Sequence, residues 1–186
     1  SCSEDKTVKI WDVASGRCYI TMEGHVDSVR SVAITPDGLT AVSGSADKTL
    51  KIWNLATGRC RATLEGHSGP IWGVAVTADA LTAISCSEDR TLKVWDLVTG
   101  RCRVTLEGHV GDVLSVTITH DGRTAISSSW DNTLRVWKLP KVDAFIKDPI
   151  VKEPNSTRYT NAKVVLVGET GVGKTGLALR LCENRW

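Results

Sequence analysis

Short stretches of alternating apolar and polar residues recur along the first 139 positions: Val8-Lys-Ile-Trp-Asp12, Leu50-Lys-Ile-Trp-Asn54, Leu92-Lys-Val-Trp-Asp96 and Leu134-Arg-Val-Trp-Lys138. A period of two marks a half-buried β-strand. Turn signals such as Thr35-Pro36-Asp37-Gly38 and small-residue segments such as Ala41-Val42-Ser43-Gly44-Ser45 lie between these runs. The whole arrangement repeats: Gly24-His25, Gly66-His67 and Gly108-His109 stand 42 positions apart, as do Trp11, Trp53, Trp95 and Trp137. Each repeat therefore holds about four short strands. The pattern stops at Leu139-Pro140.

Composition narrows the class. Apolar residues make up 41% of the 186-residue chain and charged residues 24%, which speaks against both a disordered chain and a membrane protein. The longest apolar run, Val164-Val165-Leu166-Val167, is far shorter than a bilayer span, and a soluble, cytoplasmic protein is expected. The net charge of +2 leaves no basic stripe, so no nucleic acid is expected as a partner. Cys18, Cys60 and Cys102 occupy equivalent repeat positions too far apart to bridge and read as reduced thiols. Seven Trp against two Tyr and one Phe is a bias that an ordinary core would not produce.

A unit of 40 to 45 residues bounded by Gly-His and Trp-Asp resembles the blade of a WD-repeat β-propeller. The fold expected is mainly β: a partial propeller of about 3–3.5 four-stranded antiparallel blades over residues 1–139, with repeats at 24–65, 66–107 and 108–139 and a partial one at 1–23. The resemblance implies a hydrogen-bonded tetrad in each blade: His25, Ser43, Asp47 and Trp53; His67, Ser85, Asp89 and Trp95; His109, Ser127, Asp131 and Trp137. Ser1, Asp5 and Trp11 are the remnant of another. A donor-only indole, an acceptor-only carboxylate and an imidazole that does both can close such a chain. Ser, His and Asp also invite comparison with a hydrolytic triad. Three evenly spaced copies argue for structure instead, since an enzyme needs one site in one cleft, and no catalytic residue is assigned.

The resemblance also implies a protein partner held at the propeller rim, at Ser28, Arg30 and Ala46, at Pro70, Trp72 and Glu88, and at Asp112, Leu114 and Trp130. Trp130, Trp72, Arg30, Glu88 and Leu114 are the main candidates. Trp130 stands where the other repeats carry Ala46 and Glu88, so no repeated core role accounts for it. Trp72 shares strand parity with Val74 and Val76 and could equally be a packing residue. The chain reads as a fragment whose last blade is 108–139, with that blade borrowing its outer strand from the N-terminal part of the ring.

Residues 140–161, with Pro140, Pro149 and Pro154, read as an extended linker. The apolar strand Lys163-Val-Val-Leu-Val-Gly168 follows, then Gly168-Glu169-Thr170-Gly171-Val172-Gly173-Lys174-Thr175, then Leu177, Ala178, Leu181 and Cys182 at helical spacing. Strand, phosphate loop and helix are thus in the order that an α/β P-loop NTPase begins with. Backbone N–H groups around the glycines suit phosphate oxygens, Lys174 the terminal phosphates and the Thr175 hydroxyl a Mg²⁺ ion. Residues 162–186 resemble the start of a Ras/Rab-like small GTPase, which implies GTP or GDP with Mg²⁺, the switches and base-recognition motif lying past residue 186. The expected function is an interaction scaffold fused to a GTP-binding switch in intracellular signalling. A WD-repeat signalling ATPase and a scaffold with a silent P-loop are the alternatives. The chain by itself is expected to bind nucleotide weakly and to hydrolyse none.

Overall fold

The computed structural model describes residues 1–139 and, as backbone, the strand at 156–159. The alternating runs form strands in four antiparallel sheets. A two-stranded sheet pairs β1 (Val8–Asp12) with β2 (Arg17–Met22). Next in chain order comes a sheet of β3 (Val29–Ile34), β4 (Thr40–Ser45), β5 (Leu50–Asn54) and β6 (Cys60–Leu64), each strand beside its sequence neighbour. The third has the same form, with β7 (Ile71–Val76), β8 (Thr82–Ser87), β9 (Leu92–Asp96) and β10 (Cys102–Leu106). The fourth contains β11 (Val113–Ile118), β12 (Thr124–Ser129), β13 (Leu134–Lys138) and β14 (Ser156–Tyr159). There is no helix among the described residues.

The source of β14 corrects one expectation. The outer strand of the last blade comes from downstream, within the stretch read as a linker, and not from the N-terminal part of the ring. Its register sets Leu134 against Tyr159 and Trp137 against Ser156, matching Leu50 against Leu64 and Trp53 against Cys60 in the earlier blade. The physical reason is that β13 offers an unpaired edge to any extended segment. The expected P-loop strand, loop and helix lie outside the described residues.

Apolar side chains meet between sheets. Val42, Leu50, Ile52 and Leu64 of one blade pack with Ile71, Val74, Ala83, Trp95 and Leu97 of the next. Ile84, Leu92, Val94 and Leu106 do the same with Val113, Val116, Ala125 and Trp137. A side chain of this kind contributes about 1.5–3 kcal/mol when buried, so each blade depends on its neighbour. The second strand of each blade is sandwiched most tightly, and all six residues of β8 are buried. That explains its small residues: a Cβ built on Gly44 would lie 2.6 Å from Ile71 Cγ2 of the neighbouring blade.

Candidate functional site

Three sets of four side chains sit at the same place in successive blades. Each His follows a Gly in the loop that enters the first strand; each Ser lies at the centre of the second strand; each Asp occupies the tight turn after it; each Trp is the fourth residue of the third strand. In the first, His25 Nδ1 lies 2.7 Å from Asp47 Oδ2 and His25 Nε2 2.7 Å from Ser43 Oγ, which accepts the Trp53 indole N–H at 2.7 Å. In the second, the corresponding distances are 2.6, 2.7 and 2.8 Å for His67, Asp89, Ser85 and Trp95. For His109, Asp131, Ser127 and Trp137 they are 2.8, 2.7 and 2.8 Å. In the partial repeat the Trp11 indole N–H donates to Ser1 Oγ at 2.8 Å, with no His to continue the chain among the described residues.

Donor and acceptor chemistry sets the protons. A carboxylate accepts only, so Nδ1 carries the hydrogen; the neutral Nε2 then accepts from the Ser hydroxyl, whose oxygen is left to take the indole N–H. Asp47 uses both oxygens: Oδ2 receives His25 and the Val26 N–H, and Oδ1 receives the N–H and hydroxyl of Thr49. Burial alone would raise the Asp47 carboxyl, but the hydrogen bonds from Thr49 and His25 outweigh it and hold it below the usual carboxylate range. Asp89 and Asp131 are held down by the same balance. Burial pushes the His25 imidazole below its ordinary value, against the pull of Asp47.

The sequence Asp to Nδ1 and Nε2 to Oγ is also the order of a hydrolytic triad. Exposure decides against that chemistry: Ser43 and Ser85 are 0% exposed and Ser127 1%. Each hydroxyl already serves an indole, and no substrate carbonyl can reach it. Among the described residues there is likewise no cluster of His, Cys, Asp and Glu fit to hold a metal ion.

The rim residues have a common structural cause that the sequence pattern does not contain. Pairing between the first two strands skips one residue in each blade: between Val29 and Ser31, between Ile71 and Gly73, and between Val113 and Ser115. Arg30, Trp72 and Leu114 are therefore bulge residues, and a bulge turns a side chain away from the regular alternation. Arg30 is exposed and Leu114 half-buried. The Arg30 guanidinium lies 3.8 Å over the Trp72 ring of the next blade. Trp72 is half-buried against the core between the last two blades, and its indole N–H has no hydrogen-bond partner among the described residues. Glu88 is half-buried, and Trp130 is 65% exposed. Sequence reading missed the second serine of each turn as well. Ser45, Ser87 and Ser129 donate to the backbone oxygens of Asp27, Gly69 and Gly111, tying the two loops of each blade together. Their recurrence at 42 residues was the available signal.

Gly168, Glu169, Thr170, Gly171, Val172, Gly173, Lys174 and Thr175, the residues expected to bind nucleotide and Mg²⁺, lie outside the described residues.

Repeated four-stranded antiparallel sheets stacked through shared cores, each with its own polar tetrad, define a protein built of propeller blades. A family model described as WD domain, G-beta repeat matches residues 1–12, 16–54, 58–96 and 100–138. The chain belongs to the WD40 repeat family. Among curated proteins it is similar to Nuclear distribution protein PAC1 of Coccidioides posadasii (strain C735), 52% identical over 44 residues, which are 24% of this chain and 9% of that protein. It is also similar to the Lissencephaly-1 homolog of Caenorhabditis briggsae, 47% identical over 38 residues, 20% of this chain and 10% of that protein. The matches thus span about a tenth of the length of these relatives. No helix among the described residues is long and apolar enough to cross a membrane.

Proposed function

We propose that the protein is a scaffold that holds a protein partner on the propeller rim and couples it to a GTP-binding segment. The observation that carries the scaffold reading is the pairing of rigid and free parts in each blade. The tetrads lock the loops from beneath, while the bulges turn Arg30, Trp72 and Leu114 out of the regular strand alternation, with Trp130 and Glu88 in the neighbouring turns. Rigid presentation lowers the entropic cost of binding, and Trp and Arg are frequent anchors of interfaces. A photo-crosslinking amino acid in place of Trp130 should trap a protein partner in cells. The same group in place of Val13, in a turn between β1 and β2, should not. Equal trapping at both positions overturns the assignment to this rim.

The nucleotide reading rests on residues 168–175 with a preceding apolar strand and a following helical pattern. Guanine is favoured by the resemblance of residues 163–186 to a Ras/Rab-like domain, and Mg²⁺ would be held by Thr175. In protein that continues past Trp186, labelled GTP should be displaced by GDP and not by ATP, and binding should vanish in Lys174→Ala. Displacement by ATP alone turns the reading to a signalling ATPase. Binding without turnover leaves a scaffold with a silent P-loop. A cytoplasmic location belongs to the same proposal, and live-cell imaging of a fluorescent fusion tests it.

A further inference from the structure

The last full blade departs from the repeat at two neighbouring positions. The tight turn before its third strand reads Trp130-Asp131-Asn132, where the earlier blades have Ala46-Asp47-Lys48 and Glu88-Asp89-Arg90. A large apolar ring has been gained and a cation lost. In the two loops at this end of the blade, residues 107–112 and 129–133, Glu107, Asp112 and Asp131 are the charged residues, with no Lys or Arg among them.

These loops touch. The Trp130 N–H donates to the Asp112 carbonyl at 2.9 Å, and the Val110 N–H donates to Asp131 Oδ2 at 3.1 Å. A Cβ on Gly111 would meet the Asp131 nitrogen at 2.8 Å, so the two loops lie close at this point. The result is a surface patch of two touching loops that carries Val110, 68% exposed, Trp130, 65% exposed, and the half-buried Asp112. Among the described residues no Lys or Arg is placed over the Trp130 indole, whereas the face of Trp72 is covered by Arg30.

We propose that this patch receives a lysine- or arginine-bearing peptide segment of the partner, the cation over the Trp130 ring and beside Asp112, its alkyl stem along Val110. The inference rests on the rim reading above and adds the chemistry of what the rim takes. An exposed indole face attracts cations, and carboxylates around it strengthen that field. Long basic side chains supply an apolar stem and a charged tip in one group, which is what Val110, Trp130 and Asp112 together offer. Acidic peptides and nucleic acid are repelled by the same carboxylates.

Fluorescence anisotropy on the full chain tests this with two labelled nonapeptides, one alternating lysine with valine and one alternating glutamate with valine. The lysine peptide should bind saturably and lose affinity as salt rises, while the glutamate peptide should not bind. Trp130→Ala should weaken binding about tenfold, Asp112→Asn should weaken it less and flatten its salt dependence, and Val13→Ala should leave it unchanged. Thermal unfolding by circular dichroism verifies folding of each variant. Should Trp130→Ala unfold, Asp112→Lys reads the same site by charge reversal and should abolish binding. Failure of the lysine peptide to bind overturns the inference, as does binding that neither variant affects. Binding of the glutamate peptide that depends on Trp130 removes the cation preference while leaving the rim as a docking surface. Binding of both peptides independent of Trp130 removes the rim reading too.

Discussion

Ser85 handles two hydrogen bonds where water does not reach: its oxygen receives the Trp95 indole and its hydroxyl faces His67 Nε2. Ser85→Ala strands both partners. A buried polar group left unpaired costs about 1–3 kcal/mol, so urea denaturation should show a loss of about 2–6 kcal/mol for the two. Trp130→Ala changes an exposed side chain that takes no part in the adjoining tetrad and should stay within about 0.5 kcal/mol. A large loss for Trp130 would mean that it packs in a core. Protonation strains the tetrad of the preceding blade. The unfolded chain takes up a proton at His25 before the folded one does, since burial holds the folded value below 6.5. Stability from this residue is complete above about 6.5 and is lost as pH falls through the lower folded value. For Asp47, Asp89 and Asp131 the contribution is complete above the unfolded value of 3.8 and is lost as pH falls through their depressed folded values. The melting temperature should therefore fall modestly between pH 7.5 and 5.5 and steeply below 4. A flat profile from pH 7.5 to 3.5 would contradict the burial of these groups.

Contacts between strands of neighbouring blades decide behaviour at the next scale. Gly44 on β4 faces Ile71 on β7 with no room for a methyl group. Gly44→Ala should cost about 1–3 kcal/mol by overpacking. Ile71→Ala removes the clashing carbon and should be costly alone, yet the double variant should lose less than the sum. Additive losses would show that the two positions do not meet. Strand β3 also reaches the next blade, with the Val74 N–H donating to Ser31 Oγ at 3.1 Å, and Arg61 on β6 donates to the Leu97 carbonyl at 3.1 Å. Such bonds set the spacing between blades that apolar packing alone would leave loose.

For the whole molecule, stability passes from blade to blade, because every cluster of buried side chains is shared by two sheets. Strand β14 is the member of this system with the most distant origin in sequence. Replacing residues 156–159 by a glycine-serine stretch should raise amide hydrogen exchange along Leu134–Lys138 and leave Leu50–Asn54, covered by β6, as protected as before. Unchanged exchange at β13 would show that this strand does not need β14. The same segment ends four residues before Lys163 in the sequence, where the expected nucleotide-binding strand starts.

How far the sequence alone reaches follows from the range of each interaction. Alternation of period two, turn residues and a 42-residue recurrence determined the number and order of strands in each blade, because each depends on neighbours along the chain. The tetrad members were named through the resemblance to WD repeats, and their recurrence at 42 residues with matching donor and acceptor roles agrees with it. The bulges at Arg30, Trp72 and Leu114 were not legible. A bulge is a mismatch between two strands, and the residues of one strand do not say which of them its partner will skip. The Arg30 stack on Trp72, the contact of Val110 with the turn at Trp130 and the downstream origin of β14 depend on which distant segments meet. Backbone hydrogen bonding is the same for any extended partner, so pairing is chosen by packing in three dimensions, and only the tertiary structure decided it.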